Sequence, residues 1–380
     1  MLRAERDNVK VAVAMSGGVD SSVAVALLQE KGYQVIGITM KIWSGEALPR
    51  TGAHHGCYGP GEREDIEDAR KVTQILGIPF YIFDLESEYK SEVLDYICQQ
   101  YLSGRTPNPC IRCNRRIKFG ALVEKARANG IEFDYLATGH YARVEYDRSR
   151  CRYLLKKARD LRKDQSYFLF SLSQEQLGCL LFPLGNYTKE EVRRMASNLK
   201  LGSDDKPESQ DFIDGGYYSL VTTTAQPSPI LNRQGNILGQ HKGIPFYTIG
   251  QRKGLGISAG EPLYVSAIDP ERNAIVVGSK KEIYGDELIA SELNWITVER
   301  LQQPIKVKAK IRYRHQEAEA EVTPLDEDRV YVKFTEPQMA ITPGQAVVFY
   351  DGDTVIGGGT IELVKEESAT YGFSNCSLQK

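Results

Sequence analysis

The stretch "AMSGGVDSSV", residues 14–23, decides how the N-terminal half of the chain is read. It follows the short apolar run "VKVAVAM" (9–15) and precedes "SSVAVALLQEKG" (21–32), a helical pattern stopped by Gly32. Strand, glycine turn and helix together form the context in which backbone N–H groups and a helix N-terminus collect an anion. The letters S-G-G-x-D-S are neither the dinucleotide fingerprint G-x-G-x-x-G nor the G-x-x-x-x-G-K-[ST] loop. Gly17 and Gly18 permit close backbone approach. Ser16, Ser21 and Ser22 offer hydroxyl donors, and Asp20 offers a carboxylate for Mg²⁺ beside phosphate. A plain glycine turn capped by Asp and Ser uses the same letters.

Working outward, strand and helix signals alternate. "YQVIGITMKIW" (33–43) and "IPFYIFDL" (78–85) read as strands around a helix at 62–77, whose face carries Ile66, Ala69, Val72, Thr73 and Leu76. "KFGALVEKARANG" (118–130) reads as a further helix and "YLATGHYA" (135–142) as a further strand. This order predicts an α/β fold with a doubly wound parallel sheet, whose ligand sits at the carboxyl ends of the strands. After about residue 210 the chain becomes rich in Gly, Pro and short strand signals. From about 290, "IKVKAKIRYRH" and "RVYVKF" alternate with period two, as in a small β-barrel. The expected divisions are 1–212, a central β-rich adaptor at 213–288, and a barrel at 289–380.

The chain has 380 residues with 41% hydrophobic and 26% charged residues and a net charge of −2, so no global basic field argues for nucleic acid. No apolar run approaches the ~20 residues of a membrane helix. The start lacks a signal-peptide pattern, and a cytosolic protein without membrane partners is expected. Seven scattered cysteines in a reducing compartment point to metal or catalytic use wherever they cluster. The cluster is "TPNPCIRCN" (106–114), with Cys110 and Cys113 in C-x-x-C spacing. Residues 105 to 118 hold five basic residues and no acid, which suits phosphate contacts.

The S-G-G-x-D-S loop after the first strand resembles the PP-loop ATP pyrophosphatases. "ITMKIW" (38–43), "EDIEDARKV" (64–72), "GRTPNPCIRCNRRIKFG" (104–120), "ATGHYAR" (137–143), "KDQSYFL" (163–169), "KPESQD" (206–211), "HKGIPFYTIGQRKGLGI" (241–257), "KIRYR" (310–314) and "PGQAVVFYDGD" (343–353) narrow the resemblance to the MnmA family of tRNA-specific 2-thiouridylases. The resemblance spans nearly the whole chain. It implies ATP-dependent 2-thiolation of the wobble uridine of tRNA, through adenylation of uridine O2 and sulfur attack at C2. It places ATP on Ala14, Met15, Ser16, Gly17, Gly18, Val19, Asp20 and Ser21, with the adenine near Met40 and the pocket closed by Gly139. It places the flipped uridine against Asn108, Pro109 and Cys110. Further tRNA contacts fall at His140, at Lys163, Asp164 and Gln165, at Arg312 and Tyr313, and at Gln345. From the residues themselves, Met40 also reads as core and Gly139 as a turn.

In the barrel half, Lys306, Lys308, Lys310, Arg312 and Arg314 alternate with apolar residues, so one strand would carry all five cations on one face. That face reads equally as an RNA surface and as a ladder against Glu317, Glu319 and Glu321.

The chain departs from the family at its cysteines. Cys113 matches one family cysteine, but Ile213 stands where the second is expected. Cys110 stands where many members have Asp. Cys98 and Cys179 read as core residues. Cys57, on the same rim of the sheet, can join Cys110 and Cys113 as three thiolates on a 4Fe–4S cluster that leaves one iron open to sulfide. Two alternatives stand beside the cluster: zinc with His54 or His55, and a Cys110–Cys113 redox or persulfide pair. The sulfur donor is then a persulfide relay protein or inorganic sulfide. An adenylating ligase for a small metabolite, and a nucleotide- or RNA-binding protein without chemistry, remain the other functional readings.

Overall fold

Strand β1 (Lys10–Ala14) shows why the N-terminal half folds as it does. Val11 and Val13 pack with one core cluster and Ala12 with another, all fully buried. A strand covered on both faces needs apolar residues at every position, which is how "VAVA" reads. The computed structural model describes residues 8–45, 56–199, 211–213 and 226–363. Helix α1 (Val19–Glu30) follows β1, then β2 (Gln34–Lys41), β3 (Gly56–Tyr58), α2 (Glu62–Ile75) and β4 (Phe80–Asp84). Next come α3 (Asp95–Leu102), α4 (Pro109–Arg112), a π-helix (Cys113–Ala121), α5 (Leu122–Ala128), β5 (Tyr135–Thr138), β6 (Ala142–Asp147) and β7 (Arg152–Lys157). After β8 (Leu180–Leu181), α6 (Lys189–Asn198) and β9 (Asp211–Ile213) close this half.

The main sheet runs β4-β2-β1-β5-β8, every pairing parallel. The chain moves outward from β1 to β2 and β4 on one side and to β5 and β8 on the other. The crevice opens where that order reverses, beyond the carboxyl ends of β1 and β5. One cluster fills the face under α1, α2 and α6, with Val23, Ala69, Val72, Val192 and Ala196. The other lies under the α3–α5 region, with Ile97, Ile117, Leu122 and Ala126. Truncating such a fully buried aliphatic residue costs about 2–5 kcal/mol.

Strand β10 (Ser228–Asn232), β11 (Ile237–His241), β12 (Tyr264–Asp269) and β13 (Ala274–Gly278) form the middle sheet, ordered β11-β10-β13-β12. The last strands are β14 (Tyr284–Trp295), β15 (Ile305–Lys310), β16 (Ala318–Pro324), β17 (Val330–Met339), β18 (Ala346–Asp351) and β19 (Thr354–Leu363). They close as β14-β17-β16-β15-β18-β19, with β19 returning to β14, as the expected barrel.

Four local expectations change. "YLATGHYA" is not one strand: β5 stops at Thr138, and Ala142 begins a hairpin that leaves the parallel sheet and joins the barrel sheet through β7 and β19. The helix expected from Lys118 starts earlier, as the π-helix Cys113–Ala121, and continues as the regular helix α5. Cys179 is exposed, because it caps the short helix Gln174–Gly178 beside the edge strand β8, and Cys98 is only half-buried. The five-cation face is also corrected. β15 ends at Lys310, and Arg312 turns inward, its Nη2 donating to Thr342 Oγ1 at 2.8 Å and to the carbonyls of Ala340 and Ile249. The remaining register pairs Lys306 with Glu321 and Lys308 with Glu319, the latter ions 3.8 Å apart, so the ladder is present. His54, His55, Cys376, residues 206–210 and the last residues of the chain lie outside the described residues.

Candidate active site

The crevice holds a cavity of about 360 Å³. At one end lies the glycine loop. Met15 N–H donates to the Ile38 carbonyl at 2.8 Å, and Thr39 Oγ1 donates to the Met15 carbonyl at 2.8 Å, pinning the end of β1 to β2. Gly17 adopts φ +70°, and a Cβ there would lie 2.3 Å from the Asp65 carbonyl oxygen. Only glycine meets both demands. Gly18 is extended and caps α1 without a side chain. Ser21 and Ser22 hydroxyls donate to its carbonyl at 3.2 and 2.9 Å. The first-turn N–H groups of α1 thus face the cavity with the positive end of the helix behind them. Met40 and Gly139 line the same cavity. A Cβ on Gly139 would come within 2.8 Å of the Asp20 carbonyl carbon and the Ser21 nitrogen, so this glycine lets β5 approach the loop.

Asp20 does not stand alone. Lys189 Nζ lies 2.8 and 2.9 Å from its two carboxylate oxygens, and Tyr141 O–H donates to Oδ1 at 2.9 Å. Lys189 opens α6 behind a capping box made by Thr188 and Glu191, and Arg193, one turn later, also lines the cavity. The sequence reading missed both cations. Their i, i+4 spacing beside a capping box was the available signal. Glu62 lies on the β2 side of the cavity, its carboxylate accepting from Ile42 N–H at 2.6 Å and Trp43 N–H at 3.1 Å. Burial pushes its carboxyl up, against those two hydrogen bonds.

At the other end lie Cys57, Lys118 and His140. His140 Nδ1 is 2.7 Å from Thr138 Oγ1, its ring is flanked by Phe119 and Phe182, and burial holds it well below the usual imidazole range. It is therefore neutral at neutral pH. The Tyr141 N–H donates to Gln165 Oε1 at 2.9 Å, and Gln165 N–H returns to the Tyr141 carbonyl at 2.8 Å. Asp164, between Lys163 and Gln165, is buried. It accepts from Ala158 N–H at 2.9 Å and Ser166 Oγ at 2.7 Å, so its carboxylate shapes the turn rather than meeting solvent.

The cysteine loop is bolted at several points. Asn108 Oδ1 accepts from Cys110 N–H at 3.1 Å, and Pro109 takes the first position of α4, where its missing N–H costs nothing. Thr106 N–H donates to the Pro343 carbonyl at 2.9 Å, and Gln345 Nε2 donates to the Thr106 carbonyl at 2.8 Å. Thr106 Oγ1 also reaches Thr248 Oγ1 at 3.3 Å, so the barrel and the middle sheet both hold this loop. Tyr313 packs at a tilt against Phe168, with centroids 4.4 Å apart.

Cys57, Cys110 and Cys113 lie within one another's fields. Burial pushes the Cys110 thiol up to about 12, reinforced by Cys57 and Cys113. Burial pushes Cys113 up to about 11, with Lys118 opposing. Cys57 reaches solvent in the cavity, yet the surrounding protein still raises its thiol, against Lys118. Its strand β3 pairs in parallel with β9, Tyr58 opposite Ile213, so Cys57 sits beside the position that lacks the second family cysteine. Among the described residues, no group of three or more His, Cys, Asp or Glu side chains is placed to hold one metal ion. Among them also, no helix is long and apolar enough to cross a membrane.

Residues 9–213 match the tRNA methyl transferase HUP domain, residues 221–279 the tRNA methyl transferase PRC-barrel domain, and residues 285–361 the aminomethyltransferase beta-barrel domain. Among curated proteins, the chain is similar to tRNA-specific 2-thiouridylase MnmA 1 of Caldanaerobacter subterraneus subsp. tengcongensis, 51% identical over 93% of this chain and 98% of that protein. It is similar to tRNA-specific 2-thiouridylase MnmA of Moorella thermoacetica, 51% identical over 93% of this chain and 99% of that one. It is also similar to tRNA-specific 2-thiouridylase MnmA of Desulforamulus reducens, 48% identical over 93% of this chain and 97% of that one.

Proposed function

The chain belongs to the tRNA-specific 2-thiouridylase family, and from that premise we propose that it uses ATP to convert a tRNA uridine, the wobble uridine, to 2-thiouridine in the cytoplasm. The observation that carries this reading is a cavity lined both by an anion-collecting glycine loop and by Cys57, which lies close to Cys110 and Cys113. The matched domain descriptions speak of methyl transfer, but a nest of backbone N–H groups backed by Lys189 and Arg193 suits polyphosphate.

ATP lies along Ala14 to Ser21, with the adenine near Met40 and Gly139. Uridine O2 attacks the α-phosphorus, and the bond to the β-phosphate breaks. Pyrophosphate leaves with the electron pair, its charge met by the loop N–H groups and α6. Asp20 would hold a Mg²⁺ ion, which would offset phosphate charge. For that, Lys189 transfers from the carboxylate to phosphate oxygen, a short move within the pocket. Sulfide sulfur then bonds to C2, the C2–O2 bond breaks, and AMP leaves with that pair. The tRNA is held by Asn108, Pro109, Cys110, His140, Lys163, Gln165, Tyr313 and Gln345, with Asp164 keeping its neighbours in place and Arg312, turned inward, holding the segment that carries Tyr313. The proposed divisions remain 1–212 for catalysis, 213–288 as adaptor and 289–380 as the tRNA-contacting barrel.

Sulfur is managed by Cys57, Cys110 and Cys113. A 4Fe–4S cluster on these three thiolates would supply one iron open to exogenous sulfide. The proximity of Cys57 to both Cys110 and Cys113, felt in the charge of each thiol, supports a three-cysteine set over the Cys110–Cys113 persulfide pair. In the persulfide route, the pair would end as a disulfide and need an external thiol reductant. Incubation with tRNA, ATP and sulfide should yield 2-thiouridine and AMP in equal amounts. Absence of both would overturn the reading, and AMP formed without RNA would point to a small-molecule ligase. Anaerobic purification with iron and sulfide analysis tests the cluster, and full activity in iron-free protein would reject it.

A further inference from the structure

Lys118 is a half-buried cation in the cavity wall that the reading above leaves without a task. Three other cations of its segment are committed. Arg112 pairs with Glu92 at 2.9 Å and stacks over Tyr96, Arg116 stands 3.9 Å from Glu92, and Arg105 reaches the Ile361 carbonyl. Among the described residues, Lys118 forms no ion pair within the distance of those contacts.

Its position follows from the backbone. In an α-helix, five residues carry the side chain about 140° past a full turn, which would turn Lys118 away from Cys113. The segment Cys113–Ala121 is instead a π-helix, hydrogen-bonded five residues apart, and that wider turn returns Lys118 to the side of Cys113. The wide turn is supported from outside. Gln176 Nε2 donates to the carbonyls of Arg115 and Phe119, both at 3.0 Å, and Gln176 is itself fixed by a capping box with Ser173. A Cβ on Gly120 would lie 3.1 Å from the Arg115 carbonyl oxygen, so a small residue is suited there as well. The Lys118 charge acts on Cys57, Cys110, Cys113 and His140 alike, which sets it at the cysteine end of the cavity.

With the β- and γ-phosphates on the glycine loop, the α-phosphate is the group directed toward that end. Resting on the thiolation reading, we infer that Lys118 is a catalytic residue holding the α-phosphate oxygens through both halves of the reaction. As uridine O2 bonds to α-phosphorus and the bond to pyrophosphate breaks, the ammonium offsets the charge on the α-phosphate oxygens while the loop meets that on the pyrophosphate. When sulfur adds at C2 and the C2–O2 bond breaks, the electron pair leaves on the AMP phosphate, and the same ammonium receives it. No proton or electron passes through Lys118.

The test compares wild type with Lys118→Met and Lys118→Arg in tRNA-dependent AMP formation, with ATP and tRNA affinities measured separately. Lys118→Met should slow AMP formation about 100-fold, while ATP and tRNA dissociation constants move less than about 3-fold. Lys118→Arg should regain at least about tenfold of that loss, since it keeps a cation. Gln176→Leu, which leaves Lys118 in place but removes the support of the wide turn, should slow the same step by a smaller factor. AMP formation at the wild-type rate in Lys118→Met overturns the assignment, as does a loss matched by an equal fall in tRNA affinity, which would make Lys118 an RNA-backbone contact. A melting curve like that of wild type separates lost chemistry from lost folding, and if Lys118→Met does not fold, failure of the well-folded Lys118→Arg to form AMP decides against the assignment. Wild-type protein that makes no AMP with tRNA would overturn the thiolation reading itself.

Discussion

The two ends of the cavity are built on different plans. The glycine-loop end is backbone: consecutive residues between β1 and α1, with Gly17 and Gly139 present because nothing larger fits. The cysteine end is assembled from side chains on β3, α4 and the π-helix, and it is fastened to the barrel through Gln345 and to the middle sheet through Thr248. A backbone site tolerates little change at a few positions. A converged site spreads its tolerance over distant contacts, each worth less.

Replacing a residue at each end should separate the plans. Cys113→Ala should lower 2-thiouridine formation by more than about 10³-fold while tRNA-dependent pyrophosphate release survives, as mass spectrometry of digested tRNA and pyrophosphate assays will show. If sulfur transfer persists, the cysteine end is not where sulfur is handled. Gly17→Ala imposes positive-φ strain and a backbone clash, worth about 1–3 kcal/mol, which is about 5- to 150-fold weaker ATP binding by calorimetry. Unchanged affinity would mean that the loop yields freely. Gln345→Ala removes one hydrogen bond to the Thr106 carbonyl, worth about 1 kcal/mol. It should raise the KM for tRNA several-fold with ATP affinity intact. A fall in ATP affinity instead would couple the ends more tightly than their contacts suggest.

The smallest effect concerns pH. His140 is held well below its unfolded value, so below about pH 6.5 the unfolded chain binds a proton that the folded one refuses. Its contribution to stability is therefore complete above that pH and declines as pH falls through it. Thermal melting from pH 7.5 to 5 should show a downward slope that His140→Asn reduces. An unchanged slope would assign the loss to other groups.

These two plans also explain what could be read from the letters. The parallel sheet, the loop and the barrel were legible because each is local: alternating or continuous apolar runs, a glycine pair, period-two strands. The ion pair of Lys189 with Asp20 was not, because the two residues meet only through tertiary packing. The wide turn at Cys113–Ala121 was not, because its support comes from Gln176, a residue far along the chain. "YLATGHYA" misled because β-propensity continues through Tyr141 while the chain changes sheets after Thr138. The five-cation stripe misled because alternation continues past Lys310, whereas Arg312 finds carbonyls inside the protein.

The hairpin β6–β7 carries a consequence for biosynthesis. It emerges from the ribosome directly after β5, yet its sheet partner begins only at Thr354, almost at the end of translation. Arg143 must wait for Asp353 at 2.6 Å, Lys157 for Glu317 at 2.7 Å, and Arg152 for the Ile296 carbonyl at 2.8 Å. Gly139 and His140, which line the cavity, and Tyr141, which holds Asp20, connect β5 to that waiting hairpin. A nascent chain therefore completes its catalytic crevice last, and a chain truncated before the barrel leaves the hairpin without its sheet partner.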